Sequence, residues 1–241
     1  MALTHSSNRP EGVPIRAGGY SGVVILLVDL DNTLLDRASA FDLWAAGFVR
    51  ALGGSGSEAA WIIDADRDGY EPRESLAGAI KERFGLDTAI ADIVDELLFG
   101  HVDQMNLDTA TANALKNARE HGWKIAVVTN GTTAQQSLKI RTAGLESYVD
   151  AVVISESEGV KKPDPEIFRI AAGRLGLELT GGWMVGDHPT ADIAGGKAAG
   201  LETGWVSRGK IWADSSMIPN LAADTAAEVI EAVVSGVARP C

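Results

Sequence analysis

The stretch that decides the fold reads VVILLVDLDNT and occupies residues 23–33. Its first six residues carry no charge and are rich in β-branched side chains, which predicts a fully buried central strand. Asp29 and Asp31 follow this run directly, so both carboxylates emerge where the strand ends. Ligands of open α/β sheets bind outside the carboxyl ends of the strands, and residues two apart on a strand project to the same side.

The two carboxylates at this strand end repel each other unless a cation or a proton lies between them. The pair therefore indicates a Mg²⁺ site, a nucleophile with a partner acid, or both functions together. An acidic turn that caps the following helix is the structural alternative. We favour the functional interpretations because a helix cap needs one aspartate rather than two.

An apolar strand with a polar end recurs further along the chain. Further strands are predicted at residues 124–128, 151–154 and 182–185. Each is followed by a helical stretch, and repeated β-α units predict an α/β fold with a parallel sheet. The first of these strands ends in Thr129-Asn130-Gly131 and the last in Gly186-Asp187, while Lys161-Lys162-Pro163 lies between them. The strand ends thus offer carboxylates, a hydroxyl and an amide.

Taken in order, four motifs resemble those of the haloacid dehalogenase (HAD) superfamily of aspartate-nucleophile hydrolases. The motifs are Asp29-x-Asp31-x-Thr33, Thr129, Lys162 before Pro163, and Gly186-Asp187 followed by Asp192. The likeness spans roughly residues 23–210 and is closest to the branch that inserts a helical cap after the first motif. It implies a doubly wound, Rossmann-like parallel core with an inserted all-helical cap domain.

The resemblance also implies a catalytic role for several residues. Asp29 would be the nucleophile that forms an aspartyl-phosphate, and Asp31 would protonate the leaving oxygen and then deprotonate the attacking water. Lys162 would offset the charge of the nucleophile and bind the phosphoryl group. Phosphoryl oxygens would also be held by the Thr129 side chain and by the backbone N–H groups of Asn130 and Gly131.

A Mg²⁺ cofactor follows from the same resemblance. Its ligands would be the Asp29 carboxylate, the backbone carbonyl of Asp31 and the Asp187 carboxylate. Asp192 would support the site without binding the metal directly, either by positioning Lys162 or by holding a metal-bound water. His188 is unusual at its position, and we prefer a surface or substrate-edge role for it because hard Mg²⁺ favours oxygen ligands.

The domain organisation follows from the roughly one hundred residues between Asp31 and Thr129, since a simple βαβ unit needs only about thirty. We predict a core at residues 20–36 and 109–241 and a helical cap at residues 37–108, which is placed to act as a lid. The cap is predicted to contain three helices, at residues 40–52, 73–84 and 89–99. Core helices are predicted at residues 109–121, 133–143, from Asp164-Pro165 onward, from Asp187 to Gly200, and at 225–234.

Cap residues are the candidates for substrate specificity. Arg37, just after the catalytic loop, could meet an anionic group of the substrate or make a hinge salt bridge. Arg67, Tyr70 and Arg73, in the charged segment 66–73, could dip into the active site, while a solvated loop is the alternative. Aromatic residues such as Trp44 are expected in the core of the cap.

Composition narrows the possible functions. The 241 residues carry a formal net charge of −12, which argues against a nucleic-acid surface. No apolar run approaches the ~20 residues that span a bilayer. The single cysteine, Cys241, excludes an intrachain disulfide and favours a reducing cytoplasm. Residues 1–19 are polar and are expected to be a flexible tail rather than a signal peptide. We expect a monomer or a homodimer.

The function that these patterns favour is that of a Mg²⁺-dependent phosphatase of a small phosphorylated metabolite, such as a sugar phosphate, a sugar acid phosphate or a nucleotide. The dehalogenases of the superfamily lack an acidic residue at the position of Asp31, so its presence favours phosphoryl transfer. Asn32 tilts the prediction from mutases toward phosphatases. A phosphotransferase or mutase remains the first alternative. A phospho-accepting signalling domain and an inactive binding protein are further ones.

Overall fold

A computed structural model describes residues 24–236 of the chain. Residues 1–19, which were expected to form a flexible tail, and Cys241 lie outside this range. Across residues 24–236, none of the helices combines the length and the apolar character that crossing a membrane requires.

The chain forms six strands and ten α-helices within the described range. The strands are β1 (Ile25–Val28), β2 (Lys124–Thr129), β3 (Ala151–Ile154), β4 (Trp183–Gly186), β5 (Glu202–Val206) and β6 (Leu221–Ala223). The helices are α1 (Arg37–Ala51), α2 (Gly56–Asp66), α3 (Arg73–Phe84), α4 (Ile90–Phe99), α5 (Thr109–Glu120), α6 (Thr133–Thr142), α7 (Ser155–Glu158), α8 (Pro165–Leu175), α9 (Gly195–Ala198) and α10 (Ala226–Val234). A π-helical segment, Pro189–Ala194, precedes α9.

The six strands form one parallel sheet in the order β3-β2-β1-β4-β5-β6. The strand order reverses at β1, which lies between β2 and β4. This reversal makes the sheet doubly wound and opens a crevice at the carboxyl end of β1, where ligands bind in such folds. The predicted α/β class and the predicted central position of the first strand are confirmed.

Both faces of the sheet are covered, as the uncharged β1 requires. Leu26 and Val28 point to one face, where they pack in a core that includes residues of α5 and α10. Ile25 and Leu27 point to the other face, beside Phe168 of α8. All four side chains of β1 are completely buried. Alternation along a strand with two apolar faces explains why this run contains no polar residue.

The segment between β1 and β2 is helical, as predicted, and has its own apolar core. Side chains of α1, α2, α3 and α4 form a buried cluster that includes Phe41, Trp44, Ile62, Ile80 and Leu97. The three predicted helices correspond to α1, α3 and α4, and α3 ends at Gly85 in the left-handed conformation. We refer to residues 37–104 as the helical insertion. Its division from the core at residues 37–108 stays a prediction.

Helix α2 and strands β5 and β6 are among the elements that the sequence interpretation missed. Helix α2 begins with a capping box, in which Ser55 and Glu58 bond each other's backbone N–H groups, but Gly53, Gly54 and Gly56 around it suggest a loop. Strand β5 contains Gly204, a residue type that is depleted in strands, and Val229 packs into the space that a side chain there would fill. Strand β6 has only three residues, which is too short for a period-2 pattern.

His101, at the end of the helical insertion, is completely buried, and neither of its ring nitrogens has a hydrogen-bond partner within the described part of the chain. Burial, together with the nearby charges of Lys139 and Arg37, lowers the pKa of His101 to about 3. The folded protein therefore keeps this imidazole neutral, whereas the unfolded chain takes up a proton below pH ~6.5. Stability from this source is complete above pH ~6.5 and is lost as the pH falls toward 3.

We therefore expect His101→Leu to gain in relative stability on acidification. The difference in unfolding free energy between this variant and the wild type should shift by about 2 kcal/mol in the variant's favour between pH 7 and pH 5. Urea denaturation at both values measures it, and the difference should stay nearly constant between pH 7 and pH 8. A difference that does not change below pH 7 would show that folding does not keep the ring neutral.

Candidate active site at the carboxyl ends of the strands

Residues from four neighbouring strand ends line one cavity of about 910 Å³. Asp29 follows β1, Thr129 ends β2, Ser155 follows β3 and Asp187 follows β4. Parallel strands bring their carboxyl ends to one edge of the sheet, so residues far apart in sequence meet there. The helical insertion contributes further residues to the wall, including Tyr70.

Lys162 lies at the centre of the site and is only 3% exposed. Its Nζ donates to Asp29 Oδ1 at 2.5 Å and to Asp192 Oδ1 at 2.8 Å. Burial disfavours the charged lysine, but the two carboxylates outweigh burial and raise the pKa of Lys162 above its usual value. A buried cation is tolerated only when it is paired in this way, so Lys162 is charged and fixes the nucleophile candidate Asp29.

Three carboxylates converge around this lysine. Oxygen atoms of Asp29, Asp187 and Asp192 all lie within 4.8 Å of one another. Burial is the main cause that raises the pKa of Asp29, aided by the charges of Asp192 and Asp187 and opposed by Lys162. Burial and the Asp192 charge likewise raise the pKa of Asp187 to about 7. Ionising all three carboxylates so close together is costly, and a divalent cation that prefers hard oxygen donors, such as Mg²⁺, would relieve this repulsion.

Asp192 is held from several sides. Besides Lys162, it accepts the backbone N–H of His188 at 2.9 Å. A side chain at Gly186 would approach the Asp192 carboxylate to 2.3 Å, so the glycine of the fourth motif is required by this close approach. Asp192 itself is 1% exposed. Its contacts are those of a residue that orients Lys162, which is one of the two roles that the resemblance implied.

Asp31 is paired with a different lysine, which the sequence interpretation missed. Lys139 of α6 contacts both Asp31 oxygens at 2.8 Å, and Gln136, one turn earlier, donates to Asp31 Oδ2 at 2.9 Å. Burial raises the pKa of Asp31, but Lys139 and Gln136 outweigh burial, and the net pKa is lowered. The carboxylate is therefore ionised in this arrangement, which is the form of a base. It must take up a proton before it can act as an acid.

The end of β2 and the loop that follows it support the site through side-chain and backbone hydrogen bonds. Thr129 is buried, and its Oγ1 accepts from Gln136 Nε2 at 2.6 Å. The Asn130 amide donates to the carbonyl of Lys162 and accepts its N–H, at 3.0 and 2.9 Å, so Asn130 fixes the backbone that carries the lysine. The Gly131 N–H donates to Ser155 Oγ at 3.0 Å and is thus occupied in this structure, whereas the resemblance assigned it to a phosphoryl oxygen.

Arg37 lines the cavity but is committed to an ion pair. Its guanidinium binds both oxygens of Asp66, at 2.8 and 3.0 Å, and Arg73 binds the same carboxylate at 2.7 Å. Of the two alternatives given for Arg37 from sequence, a substrate contact or a hinge salt bridge, the structure shows the salt bridge. The side chain of Arg67 is 72% exposed and contacts Glu71, so this residue lies outside the cavity wall.

Residues 67–70 belong to the helical insertion and contact residues of the core across the cavity. Arg67 and Asp68 have left-handed φ values of 51° and 58°. Asp68 accepts from Asn32 Nδ2 at 2.8 Å and lies 3.3 Å from the Arg208 guanidinium, which is also 3.6 Å from Asp187. Left-handed non-glycine residues cost free energy, so such a loop persists only where contacts like these hold it.

His188 lies at the edge of the cavity. Its Nδ1 accepts the backbone N–H groups of Thr190 and Ala191, at 3.1 and 3.0 Å, so it caps the π-helical segment. Its ring packs against Tyr70 with the centroids 5.0 Å apart. Burial lowers the pKa of His188 and favours the neutral ring. With Nδ1 as acceptor, the proton is on Nε2, and the residue presents a hydrogen-bond donor at the edge of the site.

The arrangement offers a buried carboxylate held by a lysine, a second carboxylate able to accept a proton, and a carboxylate cluster for a divalent cation. These are the parts of a hydrolase that works by nucleophilic catalysis. The sequence matches the profile of the haloacid dehalogenase-like hydrolases over residues 23–200. The chain therefore belongs to this family.

Relatives of the chain are phosphatases by name. It is 33% identical to phosphoserine phosphatase from Thermus thermophilus over 195 residues, which cover 78% of this chain and 76% of the relative. It is 29% identical to N-acylneuraminate-9-phosphatase from Homo sapiens, with 84% of this chain and 90% of the relative covered. Several further phosphatase relatives align over only about two fifths of their own length.

A solved structure supports the same relationship. The HAD phosphatase from Thermococcus onnurineus superimposes with a TM-score of 0.61 at 26% sequence identity. The superposition covers 86% of this chain and 95% of that structure. The similarity thus extends through the helical insertion as well as the sheet.

Proposed function

We propose that this protein is a Mg²⁺-dependent phosphatase that hydrolyses a small phosphorylated metabolite through an aspartyl-phosphate intermediate. The observation that carries the proposal is Lys162, which is buried between Asp29 and Asp192 and lies beside Asp187 in a cavity that contains Thr129. A phosphoryl group is an anion that this lysine and a cation at the carboxylates would hold together. The names of the relatives support the same reaction class.

In the first step, an Asp29 oxygen would attack phosphorus, and the bond from phosphorus to the leaving oxygen would break. The leaving oxygen would take a proton from Asp31, which has been protonated beforehand. In the second step, water would attack the phosphorus of the aspartyl-phosphate while Asp31 accepts its proton. Phosphate would then leave, and the Asp29 carboxylate would be restored. Lys162 would hold the phosphoryl oxygens in both steps.

The cation site would be formed by the carboxylates of Asp29 and Asp187 and by the backbone carbonyl of Asp31. Bound Mg²⁺ would supply positive charge that offsets the charge of the phosphoryl group. The convergence of carboxylate oxygens from Asp29, Asp187 and Asp192 within 4.8 Å of one another supports this assignment. Asp192, through Lys162, would keep the opposite side of the site in place.

The helical insertion would form most of a cap domain at residues 37–108, and this cap would carry the specificity. Tyr70 would meet the leaving group, and its position in the cavity wall beside His188 supports this role. Arg37, which lines the cavity but is bound by Asp66, would hold the hinge of the cap in place. The relatives act, by name, on phosphoserine and on an acylneuraminate phosphate, which supports a small polar leaving group. A single cysteine supports a cytoplasmic location.

The test is phosphate release from a panel of phosphorylated metabolites and from p-nitrophenyl phosphate. We expect Mg²⁺-dependent release that falls at least tenfold when a chelator is added and returns when Mg²⁺ is restored. Adding an acceptor alcohol distinguishes hydrolysis from transfer, since a transferase would release less phosphate and form a new ester. Full activity in metal-free buffer would contradict the assignment of Mg²⁺.

Asp31→Asn should slow poor leaving groups more than good ones. An amide cannot deliver a proton, and protonation matters most when the leaving oxygen is strongly basic. We expect a loss of about 10²-fold or more for an alkyl phosphate and a clearly smaller loss for p-nitrophenyl phosphate. Steady-state kinetics on both substrates measure the difference. Equal losses would argue against Asp31 as the acid.

A further inference from the structure

Lys139 is a second buried lysine at the site, and the mechanism above does not use it. The residue is 1% exposed, although a lysine on a helix ordinarily extends into solvent. Its Nζ lies 2.8 Å from each oxygen of Asp31, which is one of the residues that line the cavity. A buried ammonium needs such a partner, so the position of Lys139 is tied to that of Asp31.

The neighbouring turn of the same helix holds the same carboxylate. Gln136, three residues before Lys139 on α6, donates from one nitrogen to Asp31 Oδ2 at 2.9 Å and to Thr129 Oγ1 at 2.6 Å. Residues three apart lie on one helix face, so α6 presents two donors to Asp31 together. Two contacts from one rigid element fix the direction of a carboxylate as well as its position.

The pair is oriented toward the cavity. Asp31 and Lys139 both line the cavity, but the side chain of Asp31 is 22% exposed whereas that of Lys139 is 2% exposed, so the carboxylate is the more accessible member of the pair. Each aspartate of the first motif therefore has its own lysine, Lys162 for Asp29 and Lys139 for Asp31. Buried ion pairs contribute little net stability compared with apolar packing, but they can fix a geometry.

We propose that Lys139 is a positioning residue for Asp31. It holds the carboxylate at the cavity wall, at the place from which Asp31 exchanges protons with the leaving oxygen and the attacking water. This inference rests on the proposed function, because it assigns Lys139 a part in the reaction only through Asp31. A misplacement of about 1 Å at a reacting group costs on the order of 10²-fold in rate.

A double-mutant cycle tests the proposal, with Lys139→Met, Asp31→Asn and the double variant. We expect Lys139→Met to lower kcat for an alkyl phosphate by about tenfold to a hundredfold, and for p-nitrophenyl phosphate by clearly less. In the Asp31→Asn background, Lys139→Met should change kcat by less than about threefold. The matched control is Arg141→Met, an exposed basic residue on the same helix, which should leave the rates unchanged.

The outcomes separate a positioning role from a structural one. Equal losses on both substrates, or full additivity with Asp31→Asn, would overturn the proposal and leave the proposed function standing. Thermal unfolding checks that the variants fold, and Lys139→Gln keeps a donor at the site if the methionine variant does not fold. Failure of both to fold would make Lys139 structural and also overturn the proposal. A wild type inactive on every phosphorylated compound would overturn the proposed function and this inference together.

Discussion

Asp29→Asn is expected to lower kcat by about 10³-fold or more while the fold stays intact. The amide is nearly the same size as the carboxylate but is a far weaker nucleophile. It also removes one negative charge from the cluster with Asp187 and Asp192. Lys162 keeps Asp192 as a partner at 2.8 Å, so the lysine is not left buried without a counter-charge. The stability cost should therefore be small in comparison with the loss of rate.

Trapping of the intermediate gives the direct measurement. Wild-type enzyme quenched during turnover of ³²P-labelled substrate should carry label at Asp29, and Asp29→Asn should carry none. Beryllofluoride, which mimics an acyl-phosphate, should bind the wild type and not the variant. Asp103→Asn, an exposed aspartate of the helical insertion, serves as the matched control. If Asp29→Asn retained near-wild-type kcat with Mg²⁺ present, Asp29 would not be the nucleophile.

Much of the fold could be predicted because its decisive signals are local. The uncharged run before Asp29 specifies a strand with two apolar faces, and only a central position in a covered sheet satisfies it. The start of α8 follows from Asp164-Pro165, and the end of α3 follows from Gly85. Helix α2 could not be separated from its surrounding glycines, because its stability comes from packing in the insertion rather than from its own pattern.

The same distinction, between local sequence signals and tertiary packing, applies to the site. Asp29 and Asp187 could be brought together from sequence because strand ends of a parallel sheet meet at one edge, whereas Lys162 was assigned to the site by the family resemblance. Lys139 could not, because its partner Asp31 is 108 residues away and a lysine on a helix is usually solvated. A usable signal existed in the spacing of Gln136 and Lys139, two polar residues three apart, and so on one face, of the helix after Thr129. Arg37 was open to two roles because side-chain pairing across a hinge depends on tertiary packing.

Lys162→Met is the second change with a large expected effect, and it acts on both rate and stability. The lysine contacts Asp29 and Asp192, and its loss leaves these carboxylates buried together beside Asp187. Breaking a buried pair by removing one partner costs about 3–5 kcal/mol. The loss of a cation that holds the phosphoryl group should lower kcat by about 10²- to 10³-fold in addition.

Mg²⁺ separates the two effects of Lys162→Met. Uncompensated carboxylates bind a divalent cation more readily, so saturating Mg²⁺ should restore part of the stability of the variant. It should restore little of the kcat, because the metal offsets charge without taking the lysine's place on the phosphoryl group. Denaturant unfolding with and without Mg²⁺, run beside steady-state kinetics, measures both. Lys116→Met, which changes an exposed lysine of α5 outside the cavity wall, is the matched control and should behave as the wild type. A Lys162→Met variant as stable as the wild type in metal-free buffer would mean that the three carboxylates do not depend on this lysine for their charge balance.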